Sequence, residues 1–138
     1  MIEPTTDLDT CLRIRREVFI VGQNVPEDLE IDEHDADPET IHLLAFVGGR
    51  ALGTARMRQV GEAWKVERVA VLDHARGTGV GRGLMMRAEE IASGRKIVLS
   101  SQLTALGFYR RLGYTEVGGE DYLDAGIWHR DMEKVPRP

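Results

Sequence analysis

From Val69 to Gly83 the chain runs out of an apolar segment, through a short polar loop, and into a series of glycines: Val69-Ala70-Val71-Leu72-Asp73-His74-Ala75-Arg76-Gly77-Thr78-Gly79-Val80-Gly81-Arg82-Gly83. The apolar segment reads as the end of a buried strand, and the glycines open a helix reaching about Ala92. Glycine inside a helix costs about 1 kcal/mol against alanine, so Gly81 and Gly83 in the first turn need a reason. Bare backbone at the positive end of a helix lets an anion reach N–H groups that have no partner within the helix. Arg76 and Arg82 add positive charge beside them. A phosphate or pyrophosphate is the natural ligand; the plain alternative is a turn whose glycines serve packing only.

The spacing excludes two phosphate motifs. The loop Gly-x-x-x-x-Gly-Lys-Ser/Thr needs a lysine, and none follows these glycines. The dinucleotide fingerprint Gly-x-Gly-x-x-Gly fails in each register, because its third glycine falls on Arg82, Leu84 or Met86. What remains is Arg-x-x-Gly-x-Gly, filled by Arg76, Gly79 and Gly81.

Around this turn the chain reads as one domain over residues 1–138, with no repeat, low-complexity tract or linker. A capping box at Thr6-Asp7-Leu8-Asp9 predicts a first helix whose inner face carries Leu8, Cys11, Leu12, Val18 and Phe19. Residues 22–38 are acidic and broken by Pro26 and Pro38, so they predict a loop with one short helix. Strands are expected over 41–47, 51–58 and 63–72, the first two joined by Gly48-Gly49. A short buried strand over 97–100, a helix over 104–112 stopped by Gly113, and final strands near 114–118 and 126–133 complete the order. The pattern predicts an α/β fold: a mixed, mostly antiparallel central sheet flanked by helices.

Charge is uneven. Residues 1–48 hold 12 acidic and 3 basic side chains; the remainder holds 11 acidic and 15 basic, for a net −5 overall. That asymmetry suits an anionic cofactor with a cationic acceptor, and equally an acidic solvated face. The net sign argues against nucleic acid. The absence of a long apolar run argues against a membrane span, and the start of the chain lacks the layout of a signal peptide. The single cysteine, Cys11, cannot form an internal disulfide and reads as core packing. The cytoplasm is the expected location. Asp32, His34 and Asp35 match no zinc spacing, and no metal is expected.

Taken together, these motifs resemble the GNAT N-acyltransferase superfamily. Arg76-Gly77-Thr78-Gly79-Val80-Gly81 after an apolar strand is similar to its acyl-CoA pyrophosphate loop, with Arg82 following. Gln102-x-x-Ala105-x-x-Phe108-Tyr109-x-x-x-Gly113-Tyr114 is similar to its second signature, whose helix crosses the cofactor thiol. Val18-Phe19 with Gln23-x-Val25-Pro26, Glu67-Arg68-Val69-Ala70-Val71, and Asp124-Ala125-Gly126-Ile127 with His129 resemble a small single-domain subgroup. The resemblance implies acetyl-CoA as co-substrate, an amine acceptor that is a small molecule or a protein, and direct attack in a ternary complex. Many relatives pair, so it leaves a homodimer open. A non-catalytic module that senses or presents coenzyme A on the same fold is the alternative.

The resemblance also assigns residues. Backbone groups of Val69, Ala70 and Val71 would hold the thioester carbonyl and the pantetheine arm where the strand parts from its neighbour. Gln102 would contact cofactor or acceptor. Tyr109 read alone is a core tyrosine bonded to backbone; the resemblance makes it the acid that protonates the departing thiolate. The acceptor ammonium must lose a proton, and Glu67 is the expected base, with a structural arginine pair as its alternative. Strict alternation along the third strand places Glu67 with Val69 and Val71 on one face and Arg68 with Val66 and Ala70 on the other. Read from the residues rather than the resemblance, His129 on the last strand is expected in a catalytic or acceptor-binding role, and Asp32 and Asp35 in the acidic loop are expected to attract a cationic acceptor, against a satisfied histidine and a solvated loop.

Overall fold

The computed structural model describes residues 1–137. In chain order the elements are β1 (Ile2–Thr5), α1 (Leu8–Arg15), α2 (Glu27–Glu30), β2 (Ile41–Val47), β3 (Arg50–Val60), β4 (Ala63–Val71), α3 (Val80–Ala92), β5 (Ile97–Gln102), α4 (Leu106–Arg111), β6 (Thr115–Glu116), β7 (Tyr122–Asp124) and β8 (Ile127–Lys134). The strands form a single sheet in the order β1-β2-β3-β4-β5-β8-β6, with β7 paired to β8. All pairings are antiparallel except β4 with β5. This is the mixed, mostly antiparallel α/β sheet that the sequence predicts.

Local chemistry fixes most elements. The first helix is capped by Asp7 rather than Thr6: its carboxylate accepts from the Thr10 N–H at 3.2 Å and the Thr10 hydroxyl at 2.6 Å. Val18 and Phe19 fall in a π-helical turn, Arg16–Val21, that carries α1 into the loop. That loop contains two short helical segments, α2 and a 3₁₀ turn over Glu33–Ala36, where one was expected. Gly113 has φ 95° and ends α4 as its sequence position implies.

Two strands carry no local signal. Ile2–Thr5 is extended because it pairs with β2, from Ile2 opposite Ala45 to Thr5 opposite His42, and Pro4 is tolerated there because β1 lies at the sheet edge. Tyr122–Asp124 pairs back on β8 through Ala125 and Gly126, at φ 52° and 78°, two left-handed residues that match the twist of a tight hairpin. The strand expected over 114–118 shrinks to Thr115–Glu116.

The core lies on both faces of the sheet. Leu84, Met85 and Ala88 of α3 pack with Leu43, Met57, Val66, Ile97, Leu99 and Met132 on one face. Cys11 and Ile14 of α1 pack with Leu44 and Ala70 on the other, so Cys11 is core packing as expected. The start of α3 lies so close to β3 that only Gly53 fits beneath it. A Cβ at this position would come 2.8 Å from Val80 Cγ1, 3.1 Å from Leu84 Cδ1 and 3.2 Å from the Ala70 carbonyl. Gly53→Ala is therefore expected to lose about 1–3 kcal/mol of stability by overpacking, read as a lower midpoint in urea with an unchanged slope.

Candidate active site

The single parallel pairing positions the site. β4 and β5 pair only at Trp64–Ile97 and Lys65–Val98, then part. A cleft of about 700 Å³ opens between them, walled by α3, α4, the α1–α2 segment and the β7–β8 hairpin. The Leu72 N–H donates to the Leu52 carbonyl at 2.9 Å. Alternation along an antiparallel ladder then turns the N–H and C=O of Val71 away from β3, toward the side that β5 has left. Val69 and Val71 line the cleft; Ala70 faces the α1 core instead.

Just before this stretch β4 bulges. Thr54 faces Ala70 and Arg56 faces Glu67, so Arg68 and Val69 together oppose Ala55, and Arg68 sits at φ 56°. The bulge overturns the strict alternation expected along β4. Val66, Val69 and Val71 pack on the α3 face, while Ala70 and Leu72 pack on the α1 face. Glu67 and Arg68, expected on opposite faces, both enter the same polar network under the α1–α2 segment.

The glycine turn begins at a 3₁₀ turn, Asp73–Ala75, which the Thr78 hydroxyl braces by donating to the Ala75 carbonyl. Gly77 and Gly79 have φ 78° and 90°, and Gly79 caps α3 in the left-handed region. The first bond of the helix runs from the Gly83 N–H to the Gly79 carbonyl at 2.9 Å. From Gly77 to Arg82 no backbone N–H meets a protein acceptor among the described residues. A run of free donors at a helix start is what a pyrophosphate requires.

Arg76, Gly77, Gly79, Val80, Gly81 and Arg82 line the cleft; the Thr78 side chain does not. Arg76 is mostly exposed and only 3.7 Å from Asp73. Gly81 lies between α4 and β4, where a Cβ would be 3.3 Å from the Phe108 ring and 3.7 Å from Val71. Gly83 has a different reason from the anion access expected of it: a Cβ there would strike Ile2 Cδ1 at 2.6 Å.

Across the cleft, Tyr109 projects from α4 between Phe108 and Tyr114, with ring centroids at 4.9 and 5.9 Å in edge-on geometry. Its hydroxyl has no hydrogen-bond partner among the described residues, so the backbone bond of a core tyrosine is missing. Burial pushes its pKa up to about 12. Gln102 ends β5 and exchanges amide bonds with Gln23: Gln102 Nε2 donates to Gln23 Oε1 at 2.9 Å, and Gln23 Nε2 to Gln102 Oε1 at 3.3 Å. His129 lies opposite Gln102 in the β5–β8 register and stacks on Tyr122 at 6.1 Å.

Three residues are placed differently from their expected roles. Neither Asp32 nor Asp35 lines the cleft. Asp35 accepts from Arg15 at 2.6 Å and from Arg56 at 2.9 Å, and Asp32 accepts from Arg56 at 2.7 Å and Arg68 at 3.3 Å. Glu30 joins them through Arg15 at 2.8 Å. The acidic stretch of the sequence therefore neutralises buried sheet and helix arginines, which leaves neither aspartate free for an acceptor. Glu67 does line the cleft, but one carboxylate oxygen accepts from Arg58 at 2.5 Å and twice from Arg56, at 2.7 and 3.1 Å. Burial alone would raise its pKa; the Arg58 and Arg56 guanidiniums outweigh that and hold it below the usual carboxylate range. The arginine-pair alternative describes Glu67 better than the base does.

Sequence reasoning left Phe19, Gln23, Val25 and Ser100 out of the site, although all four line it. The first three lie in a quoted motif and were legible there; Ser100 carries no local signal.

Residues 7–136 match the acetyltransferase (GNAT) domain family. YjcF of Bacillus subtilis strain 168, described as an uncharacterized N-acetyltransferase, is 38% identical over 125 residues, covering 88% of this chain and 87% of its own. An acyl-CoA N-acyltransferase from Pseudomonas aeruginosa superposes with a TM-score of 0.84 at 31% identity, covering 97% of each chain. Escherichia coli ElaA superposes with a TM-score of 0.82 at 27% identity, covering 97% of this chain and 99% of its own.

Proposed function

The chain belongs to the GNAT acetyltransferase family and is an acyl-CoA-dependent acetyltransferase; from that premise we propose that it moves an acetyl group from acetyl-CoA to a primary amine by direct attack within a ternary complex. The observation that carries this reading is the run of free N–H groups from Gly77 to Arg82, which opens on the same cleft as the unpaired edge of β4 and the unpartnered Tyr109 hydroxyl.

Acetyl-CoA supplies an activated thioester. The Gly77–Arg82 donors, with Arg76 and Arg82, suit its pyrophosphate. The outward N–H and C=O of Val71 suit an extended amide-bearing arm lying along β4, as a further strand would. The same edge offers an N–H for the developing oxyanion, in a cleft where part of the water is displaced. Tyr109 donates its proton to the departing sulfur. The Gln23–Gln102 pair, Phe19 and Val25 bound the end of the cleft left for the amine.

Thermal unfolding with acetyl-CoA, CoA, ATP or NAD tests the site. At about a hundred times its dissociation constant a ligand adds roughly 2.7 kcal/mol of stability. The expected result is a rise in Tm with the two CoA species only, reduced in Arg76→Glu. A rise with ATP or NAD and none with CoA would overturn the reading.

A further inference from the structure

Resting on that transferase reading, we propose that His129 is a catalytic residue: its Nε2 takes the first proton from the acceptor ammonium, freeing the nitrogen lone pair for attack. Of the three other carboxylates that line the cleft, two are already committed to arginines. Glu67 accepts from Arg56 and Arg58. Glu30 is buried with both carboxylate oxygens on Arg15. Asp124 lies exposed at the tip of the β7–β8 hairpin.

His129 is built differently. Its Nδ1–H donates to the Ile127 carbonyl at 2.7 Å, which fixes the tautomer and leaves the Nε2 lone pair unshared. Among the described residues Nε2 has no partner, and it keeps access to the cleft that the ring lines. A proton arriving at Nε2 leaves the Nδ1 bond intact, so the ring need not move. Stacking on Tyr122 holds its plane. Pairing of its backbone position with Gln102 places it beside the Gln23–Gln102 amides at the amine end of the cleft.

The groups that set its field are few. Tyr122 is bonded to Ser100 and to Asp131 on the same face of β8. Lys65 of β4 lies 3.7 Å from Glu67, which is already paired with Arg56 and Arg58. Arg111 brings positive charge to the cleft wall, Arg68 stands there paired with Asp32 and Glu30, and Asp124 brings negative charge.

The step balances. The ammonium gives one proton to Nε2, which passes it to solvent. The free amine forms the C–N bond to the acetyl carbon, and the C–S bond breaks with its electron pair on sulfur. Tyr109 protonates that sulfur, and the second proton of the acceptor nitrogen restores the Tyr109 hydroxyl. The net release is one proton to solvent for each amide formed.

The test compares wild type, His129→Gln and His129→Ala on phenethylamine, putrescine and lysine, which are ammonium ions at pH 7, and on hydroxylamine, which is already neutral. Tm and acetyl-CoA binding report that each variant is folded with its cofactor site intact. The expected result is a loss of about 10²-fold or more in kcat/KM on the ammonium substrates, little loss on hydroxylamine, and partial rescue by free imidazole. Wild type should also show an acid limb in its pH profile of kcat/KM that both variants lack. Equal turnover and the same pH limb in His129→Gln would overturn the proposal while leaving the transferase standing. A wild type that acetylates none of these amines would overturn both.

Discussion

Replacing Tyr109 with phenylalanine is expected to lower kcat by about 10²- to 10⁴-fold, the usual contribution of a positioned acid, while leaving Tm and the KM for acetyl-CoA near wild type. The separation follows from geometry. A tyrosine kept for structure would have a hydroxyl partner, and its loss would leave that partner unsatisfied at about 1–3 kcal/mol. Tyr109 has none among the described residues, so the ring packing against Phe108 and Tyr114 survives the change and only the proton is lost. With its pKa pushed up to about 12, the hydroxyl stays protonated across the working pH range and is there to donate as charge develops on the departing sulfur. Steady-state kinetics with acetyl-CoA and a turned-over amine, run beside thermal unfolding, check both halves. Unchanged kcat would remove Tyr109 from the mechanism.

Arg56→Met is expected to be the most damaging single change to stability, at about 3–5 kcal/mol. Arg56 is 1% exposed and binds three carboxylates at once, Asp32, Asp35 and Glu67. Its removal takes one cation from each of them and leaves Arg68, Arg15 and Arg58 alone to hold three partly or fully buried charges. The exposed pair Arg110–Glu116 is the control: Arg110→Met should leave the urea midpoint close to wild type. Burial raises the pKa of Asp32 and Asp35, but Arg56 and Arg15 outweigh it, and both stay below the carboxylate range, as Glu67 does. The folded chain therefore binds fewer protons than the unfolded one near and below about pH 4, and wild-type stability falls as pH drops through that window. Arg56→Met should show a lower urea midpoint at pH 7 and a shallower acid slope. Equal acid slopes would show that Arg56 does not hold these carboxylates down. Because the same network anchors residues 29–35 to the sheet, its loss is also expected to raise the KM for the amine more than that for acetyl-CoA.

Much of the cofactor side was legible because its signals are local. Gly77 and Gly79 report left-handed backbone, the apolar run before them reports a buried strand, and the spacing of Arg76, Gly79 and Gly81 separates this loop from two other phosphate motifs. The amine side was legible only as motif fragments, Gln23 and His129 among them, because its wall is assembled from segments about 80 to 110 residues apart. Gly83 was misread for a related reason: its constraint is Ile2, a residue of an edge strand that only pairing with β2 makes a strand.

What the sequence determined by itself was the set of elements with their own capping, glycine and periodicity signals: α1, α3, α4, β2 to β5, β8, and the free donors at the start of α3. Tertiary structure alone decided where β4 and β5 part, which residues oppose Ala55 at the bulge, and where the acidic stretch spends its charge. Register and ion pairing are contests between distant partners. A carboxylate written into a loop does not say which buried arginine will reach it, and an alternating strand does not say where its neighbour forces it to bulge.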